Sequence, residues 1–136
     1  LPLALASGFA IFKLAQVFGI LIPFDLRSRE IIFFLLAVAP ILEELIFRFL
    51  LWNPIQILTR RPVIALLGTS LLFSYSHLHA IWFVPEEFHR FVVFQTIYTL
   101  LLAFACGHYV YKHRSLSGAM ALHFAFNLGF FFASFV

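Results

Sequence analysis

Five long apolar stretches, separated by short polar breaks, constrain this chain more than any other feature of its sequence. Each is about 20 residues long, the length an α-helix needs to cross the hydrocarbon core of a membrane. Helices are favoured over a barrel, because barrel strands need about 10 residues of alternating polarity and these stretches are continuous. We therefore predict an all-α, multi-pass transmembrane helical bundle of about five spans. The predicted spans are 3–24, 30–52, 62–84, 88–111 and 116–136.

The composition excludes several classes of protein. Hydrophobic residues make up 63% of the chain and charged residues 11%, against about 45–50% and about 25% in soluble domains. These values exclude a soluble globular domain, a disordered chain and a nucleic-acid-binding module, and they indicate membrane lipid as a partner. The single cysteine, Cys106, excludes an internal disulfide, a multi-cysteine zinc site and an iron–sulfur cluster.

Length and charge bear on domain organisation and orientation. The 136 residues leave room for one membrane-embedded domain over 1–136 and for no soluble second domain. Because the sequence begins at Leu1 without an initiator Met, we expect a segment excised from a longer chain. The balance of Lys and Arg favours placing the breaks after the second and fourth stretches on the cytoplasmic side. Those breaks carry Arg60, Arg61, Lys112 and Arg114.

Three charged residues lie inside the second apolar stretch: Glu43, Glu44 and Arg48. A charge at mid-membrane costs about 2.5–3.5 kcal/mol even on the mildest scale, so these side chains must face the bundle, each other or water. Glu44 and Arg48 are four residues apart and can pair on one helix face. Glu43 lies about 100° around the helix and has no cation four residues on. One carboxylate is thus predicted to be paired and the other free, as a general base requires. A buried structural ion network is the alternative.

Two further stretches carry polar side chains at helical spacing. Phe73 and His77 share one face of the third stretch, whereas His79 points about 200° away from His77, so the two histidines cannot chelate one metal from a straight helix. His123 and Asn127 share one face of the fifth stretch, and both can donate hydrogen bonds. Hydrogen bonding between neighbouring helices is the alternative for each of these residues. His108 is expected to be structural or interfacial.

These residues form three ordered motifs, one per stretch: Glu43-Glu44-x-x-x-Arg48, Phe73-x-x-x-His77 and His123-x-x-x-Asn127. The pattern resembles the CPBP family of CAAX proteases and bacteriocin-processing enzymes, also called the Abi family. Its eukaryotic members are type II CAAX prenyl endopeptidases of the endoplasmic reticulum. The resemblance covers roughly residues 30–136 and implies a single CPBP-like protease domain. The chain lacks the motifs of other intramembrane proteases, such as H-E-x-x-H and G-x-S-G.

The resemblance implies an intramembrane endopeptidase, a hydrolase. Glu43 and His77 would activate a water, His123 and Asn127 would stabilise the oxyanion, and Glu44 with Arg48 would form a supporting ion pair. The family has been described both as zinc-dependent and as metal-independent, so either zinc held by Glu43, His77 and His123 or no metal is implied. The implied substrate is a CAAX-type prenylated protein tail or a leader-like, membrane-associated peptide. The implied location is a bacterial plasma membrane or the endoplasmic reticulum.

Two other functions are compatible with the sequence. A member of the same fold could act without cleavage, as a bacteriocin-immunity factor or a protein that binds membrane peptides. Intramembrane Glu and His also occur in proton- or metal-coupled carriers. Five short spans without an inverted repeat or broken helices argue against a transporter.

Overall fold

The chain folds entirely into helices and turns, as the sequence predicts. The structure is a computed structural model that describes residues 1–136. Its α-helices are α1 (Pro2–Val17), α2 (Arg29–Phe33), α3 (Ala39–Glu44), α4 (Trp52–Thr59), α5 (Pro62–Leu78), α6 (His89–His113) and α7 (Leu116–Ala133). Short 3-10 turns follow α5 at His79–Trp82 and precede α6 at Glu86–Phe88.

Three helical segments are long and apolar enough to cross a membrane: Pro62–Trp82, Glu86–His113 and Leu116–Ala133. They correspond to the third, fourth and fifth predicted spans. Each starts close to its predicted residue. A proline marks the beginning of α5, and a capping serine marks the beginning of α7. The fold is therefore an all-α membrane bundle.

The first predicted span was too long. Helix α1 covers 16 residues, which is about 24 Å of helix against the roughly 30 Å of the membrane core. The helix stops because Gly19 adopts the left-handed conformation, with φ of +60°, which glycine reaches without steric cost. Residues 20–22 have no regular secondary structure, and a bend follows at Pro23 and Phe24.

The second stretch is one continuous helical segment, residues 29–59, with two widened π-helical parts. These parts are Phe34–Val38 and Leu45–Leu50, on either side of α3. The predicted end of this span at residue 52 was wrong, because the helix continues through Trp52 to Thr59. Pro54 is tolerated because it lies in the first turn of α4, directly after the second π-helical part, where the helical hydrogen bonds change register. π-helical turns inside α-helices are frequently found at functional sites in other proteins.

The long helices form antiparallel neighbours. The Ser74 hydroxyl donates to the Thr96 carbonyl at 2.7 Å, while Gly107, further along α6, lies against Leu66 and Ser70 of α5. Helix α1 packs along α7, and there the backbones touch. A Cβ at Gly8 would collide with the Phe126 carbonyl oxygen, and one at Gly129 with the Leu5 carbonyl oxygen. Such close approach of membrane helices requires small residues.

Candidate active site

The polar residues singled out by the sequence surround one cavity of about 360 Å³ between the second helical segment, α5, α6 and α7. Glu43, His77, His123 and Asn127 all line it. Glu44 and Arg48 do not line it, because they lie behind its wall with 0% and 3% of their surface exposed. Three segments that are distant in the sequence thus bring their motifs to one place.

Glu44 and Arg48 form the ion pair expected from their spacing. Arg48 Nε lies 3.4 Å from Glu44 Oε2, although the two atoms are not aligned as a hydrogen bond. Arg48 Nη2 also donates to the Ala103 carbonyl at 2.7 Å, and its guanidinium lies 5.5 Å from the centre of the Phe73 ring. Burial of both charges requires such partners, and the contacts tie the second helical segment to α5 and α6.

The two adjacent glutamates have different environments. Glu44 is sealed, with Oε2 facing Arg48 and Oε1 3.1 Å from His123 Nδ1. The Glu43 side chain keeps 28% of its surface exposed and lines the cavity. Spacing along the helix predicted that Glu43 has no partner. In the structure it has one, because its Oε2 lies 3.6 Å from His123 Nε2. Only the Glu43 carboxylate can reach a molecule inside the cavity.

His123 stands between the two carboxylates. Its Nδ1 donates to Glu44 Oε1, and this contact fixes the ring so that Nε2 points to Glu43. The ring is 3% exposed and packs edge-on against Phe73, with centroids 5.8 Å apart. A buried carboxylate partner of this kind determines the tautomer and orientation of an imidazole. No sequence pattern indicates this contact, because Glu44 and His123 are 79 residues apart.

His77 faces the cavity from the end of α5. Its Nδ1 lies 3.0 Å from the Phe73 carbonyl oxygen, which can only accept, so Nδ1 carries the hydrogen. Its Nε2 is then free to accept a hydrogen bond in the neutral ring. The ring stacks on Phe73 at 5.0 Å, as their spacing predicts. His79 is exposed in the following 3-10 turn and lines no part of the cavity.

Asn127 is anchored to the widened helix that precedes Glu43. Its Nδ2 donates to the Leu35 carbonyl at 2.8 Å. That carbonyl is available because the Ala39 N–H bonds to Phe34 instead, and the next residue, Pro40, has no N–H. One N–H of the Asn127 amide is used in this contact, and the second remains for a ligand.

Helix α6 supplies cavity residues that the sequence argument missed. Gln95, Tyr98 and Thr99 line the cavity, although α6 carries none of the three motifs. The signal was present, since Gln95 and Thr99 are polar residues four apart in an apolar helix and therefore share a face. The Thr99 hydroxyl donates to the Thr96 carbonyl at 3.2 Å, so Gln95 and Tyr98 are the α6 side chains with polar groups left for a ligand.

A second, larger groove of about 540 Å³ lies between α1, α6 and α7. It is lined almost wholly by hydrophobic residues and contains no ionisable side chain other than Tyr98. Tyr98, Leu102 and Phe126 line both spaces and form the wall between them. The smaller cavity is therefore the one equipped for chemistry.

The expected zinc ligands do not assemble as a metal site in this arrangement. No group of three or more His, Cys, Asp or Glu side chains is placed to hold a metal ion. The reason is visible at His123, whose ring nitrogens both face carboxylates, so that Glu43 and His123 point at each other instead of at a common centre.

The fold and the cavity define an integral membrane protein whose ionisable site is enclosed by its helices. The chain belongs to the Rce1-like family of type II CAAX prenyl endopeptidases, whose family model matches residues 27–129. The match includes all three motifs and leaves α1 outside. This is a family of proteases. Searches of curated proteins and of solved structures gave no match.

Proposed function

We propose that this chain is an intramembrane endopeptidase that hydrolyses a peptide bond inside the 360 Å³ cavity. The observation that carries the proposal is the unequal placement of two adjacent carboxylates. Glu44 is sealed by Arg48 and His123, while Glu43 faces the cavity beside His77. Structural ion networks have no need of a cavity-facing carboxylate, whereas a general base must reach its substrate.

Glu43 acts as the base in this scheme. It takes a proton from a water whose oxygen attacks the carbonyl carbon of the scissile bond, and the carbonyl electron pair moves to oxygen. His77 positions that water, because its Nε2 is the acceptor left over once Nδ1 bonds to Phe73. When the intermediate collapses, the carbon–nitrogen bond breaks and the departing amine receives the proton from Glu43.

In this scheme, Asn127 and His123 stabilise the oxyanion by donating hydrogen bonds to it. Asn127 has one N–H free after bonding to Leu35, and a single donor of this kind contributes about 2.7–4 kcal/mol to catalysis. Because Nδ1 of His123 already donates to Glu44, His123 can donate to the oxyanion only from Nε2, and only when that nitrogen also carries a hydrogen.

We infer the substrate class from the family and from the surroundings of the cavity. Relatives described as CAAX prenyl endopeptidases act on prenylated protein tails, and a leader-like, membrane-associated peptide has the same location and chemistry. The chain would work as a multi-pass protein, with α5, α6 and α7 as its clearest spans. A bacterial plasma membrane or the endoplasmic reticulum is the proposed location.

The decisive experiment compares Glu43→Gln with the wild type on prenylated CAAX peptides and membrane-anchored leader peptides. Loss of a general base is expected to lower the cleavage rate by about 10²–10⁴-fold, with unchanged thermal unfolding. Glu87→Gln is the matched control, because Glu87 is exposed and lies outside the cavity. Product release is measured by mass spectrometry of the cleaved peptides.

Equal rates for Glu43→Gln and the wild type would contradict the proposal. A protein that only binds peptides would bind them in both forms and release product from neither. Metal content is measured on the same purified protein, with and without a chelator. If activity is lost when zinc is removed and returns when zinc is added, the zinc-dependent alternative replaces water activation by Glu43 and His77 alone.

A further inference from the structure

One end of the bundle carries four cations and no acidic residue. The turn between α4 and α5 contains Arg60 and Arg61. Lys112 lies in the last turn of α6, and Arg114 lies in the turn between α6 and α7. The two turns lie at the same end because α5 and α6 run antiparallel, with Leu66 beside Gly107. We call these four residues the cationic end.

No acidic side chain is placed to neutralise the cationic end. Two of the six carboxylates lie inside the bundle, at Glu43 and Glu44. The other four lie at the opposite end, in Asp25, Glu30, Glu86 and Glu87. All four cations are exposed, and none of their side chains makes an ion pair or a hydrogen bond to protein, whereas Arg90, at the opposite end, donates to the Phe18 carbonyl at 3.0 Å. The cationic end therefore has charge available for an outside partner.

Two of these arginines occupy backbone positions that usually belong to glycine. Arg60 ends α4 with φ of 55°, and Arg114 ends α6 with φ of 53°. They are the only residues other than glycine with positive φ in the chain. Glycine or asparagine normally occupies such helix ends, so the helix stop does not explain an arginine there. A charged side chain kept at a strained position indicates a use for the charge.

Neighbouring helix ends add positive potential to the cationic end, and neighbouring tyrosines place it at the level of the lipid headgroups. Helix α5 begins at this end without a capping side chain, and α7 also begins here, so two helix N-termini bring partial positive charge. Tyr109 and Tyr111 lie in the last two turns of α6, and tyrosines of this kind are enriched at the level of lipid headgroups. The cationic end terminates the three helices that are suited to cross the membrane.

We propose that the cationic end binds the phosphate groups of anionic lipid headgroups. We assign these phosphate groups to lipid because the site lies where membrane-crossing helices end. In addition, four separate cations match several headgroups in a plane better than one small ion. Each Lys or Arg close to an anionic membrane surface contributes about a fivefold gain in affinity. This proposal is independent of peptide cleavage, and its test needs no peptide substrate.

The test titrates the purified full chain in detergent with phosphatidylglycerol or phosphatidylcholine of equal acyl chains and counts bound lipids by native mass spectrometry. The wild type is expected to prefer phosphatidylglycerol. The double variant Arg60→Gly, Arg114→Gly should lose about 25-fold of its affinity for that lipid, and its helix ends should fold readily because glycine suits their backbone. The matched control Arg27→Gln, Arg29→Gln removes the same charge at the opposite end and should keep the preference.

A second variant, Arg61→Gln with Lys112→Gln, leaves both left-handed positions untouched and should show a loss of similar size. Full preference for phosphatidylglycerol in both cationic-end variants would overturn the proposal. An equal loss in the control pair would overturn it too, since net charge alone would then explain the binding. Displacement of the lipid by inorganic phosphate at an equal free concentration would assign the site to a free anion instead of a headgroup.

Discussion

The two faces of α7 are built on different principles. Toward α1, the helix presents Gly129 and Phe130, which pack by shape alone, with Phe130 edge-on to Phe12 at 5.0 Å. Toward the second helical segment, it presents His123 and Asn127, which make directional hydrogen bonds to Glu44 and Leu35. One helix thus joins the apolar contact with α1 to the polar centre of the molecule, which consists of Glu43, Glu44, His123 and Asn127 with their partners.

The difference determines what each face tolerates. Packing by shape depends on volume, so that a single added methyl group is costly where backbones touch, whereas an exchange between hydrophobic side chains of similar volume is cheap. The polar face depends on pairing, so that removal of one partner strands a buried charge whatever the volume. We therefore expect added volume to be most costly on the face toward α1, and loss of a charged partner to be most costly on the face toward the second helical segment.

The largest effect on stability is expected from Glu44→Ala. The change leaves Arg48 and His123, each 3% exposed, without their shared acceptor, and loss of one partner of a buried pair costs about 3–5 kcal/mol. The free energy of unfolding is measured in mixed micelles. Glu43→Ala is the matched control, and it should cost less than about 1 kcal/mol because that carboxylate is partly exposed. Equal losses would contradict the distinction between a sealed and a cavity-facing glutamate.

A smaller loss is expected where α1 meets α7. Gly8→Ala and Gly129→Ala each place a methyl group against a backbone carbonyl of the other helix, and overpacking of this kind costs about 1–3 kcal/mol. Gly68→Ala makes the same change in α5, where the nearest atom to the new methyl is Ile55 Cδ1 at 3.7 Å. That variant should instead be stabilised by about 0.5–1 kcal/mol. Thermal unfolding of the three proteins side by side provides the check, and a gain in all three would mean that helix propensity, not close approach, governs the result.

The smallest effect is expected from Phe12→Leu. Phe12 is buried at 5% exposure against Phe130, but leucine keeps most of its volume and is apolar. We expect a cost below about 1.5 kcal/mol, comparable to the value of the lost edge-to-face contact. Phe18→Leu serves as the control, since Phe18 is 58% exposed and should show no change. A loss equal to that of Glu44→Ala would show that the apolar face is as intolerant of chemical change as the polar one.

Local features of the fold were predicted well. The third to fifth spans start where expected because proline and serine signals sit beside long apolar runs, and those signals act within one or two turns of helix. The Glu44–Arg48 and Phe73–His77 contacts followed from four-residue spacing alone. Gly19, by contrast, was passed over as a helix stop, because an isolated glycine in an apolar run does not reveal its φ angle in the sequence.

The polar centre was only half predictable. Spacing along one helix separated Glu43 from Glu44, but it could not show that His123 approaches both. The widened turn at residues 34–38 and the carbonyl that it leaves to Asn127 were also not foreseen. Gln95 and Tyr98 were overlooked because polar groups in a helix without a motif have no assigned partner until the helices are packed.

The sequence by itself determined that this chain is a helical membrane protein, that it carries three ordered motifs, and which side chains share a helix face. Those properties depend on hydrophobicity and on the 3.6-residue period, which act over one or a few turns. Tertiary structure alone decided which glutamate is sealed, which nitrogen of His123 faces Glu43, and that two glycines let α1 and α7 touch. These outcomes join Leu5 to Gly129, 124 positions apart along the chain, in one backbone contact, and Glu44 to His123, 79 positions apart, in one polar contact. Close packing and directional pairing between such distant segments exist only after the helices have assembled.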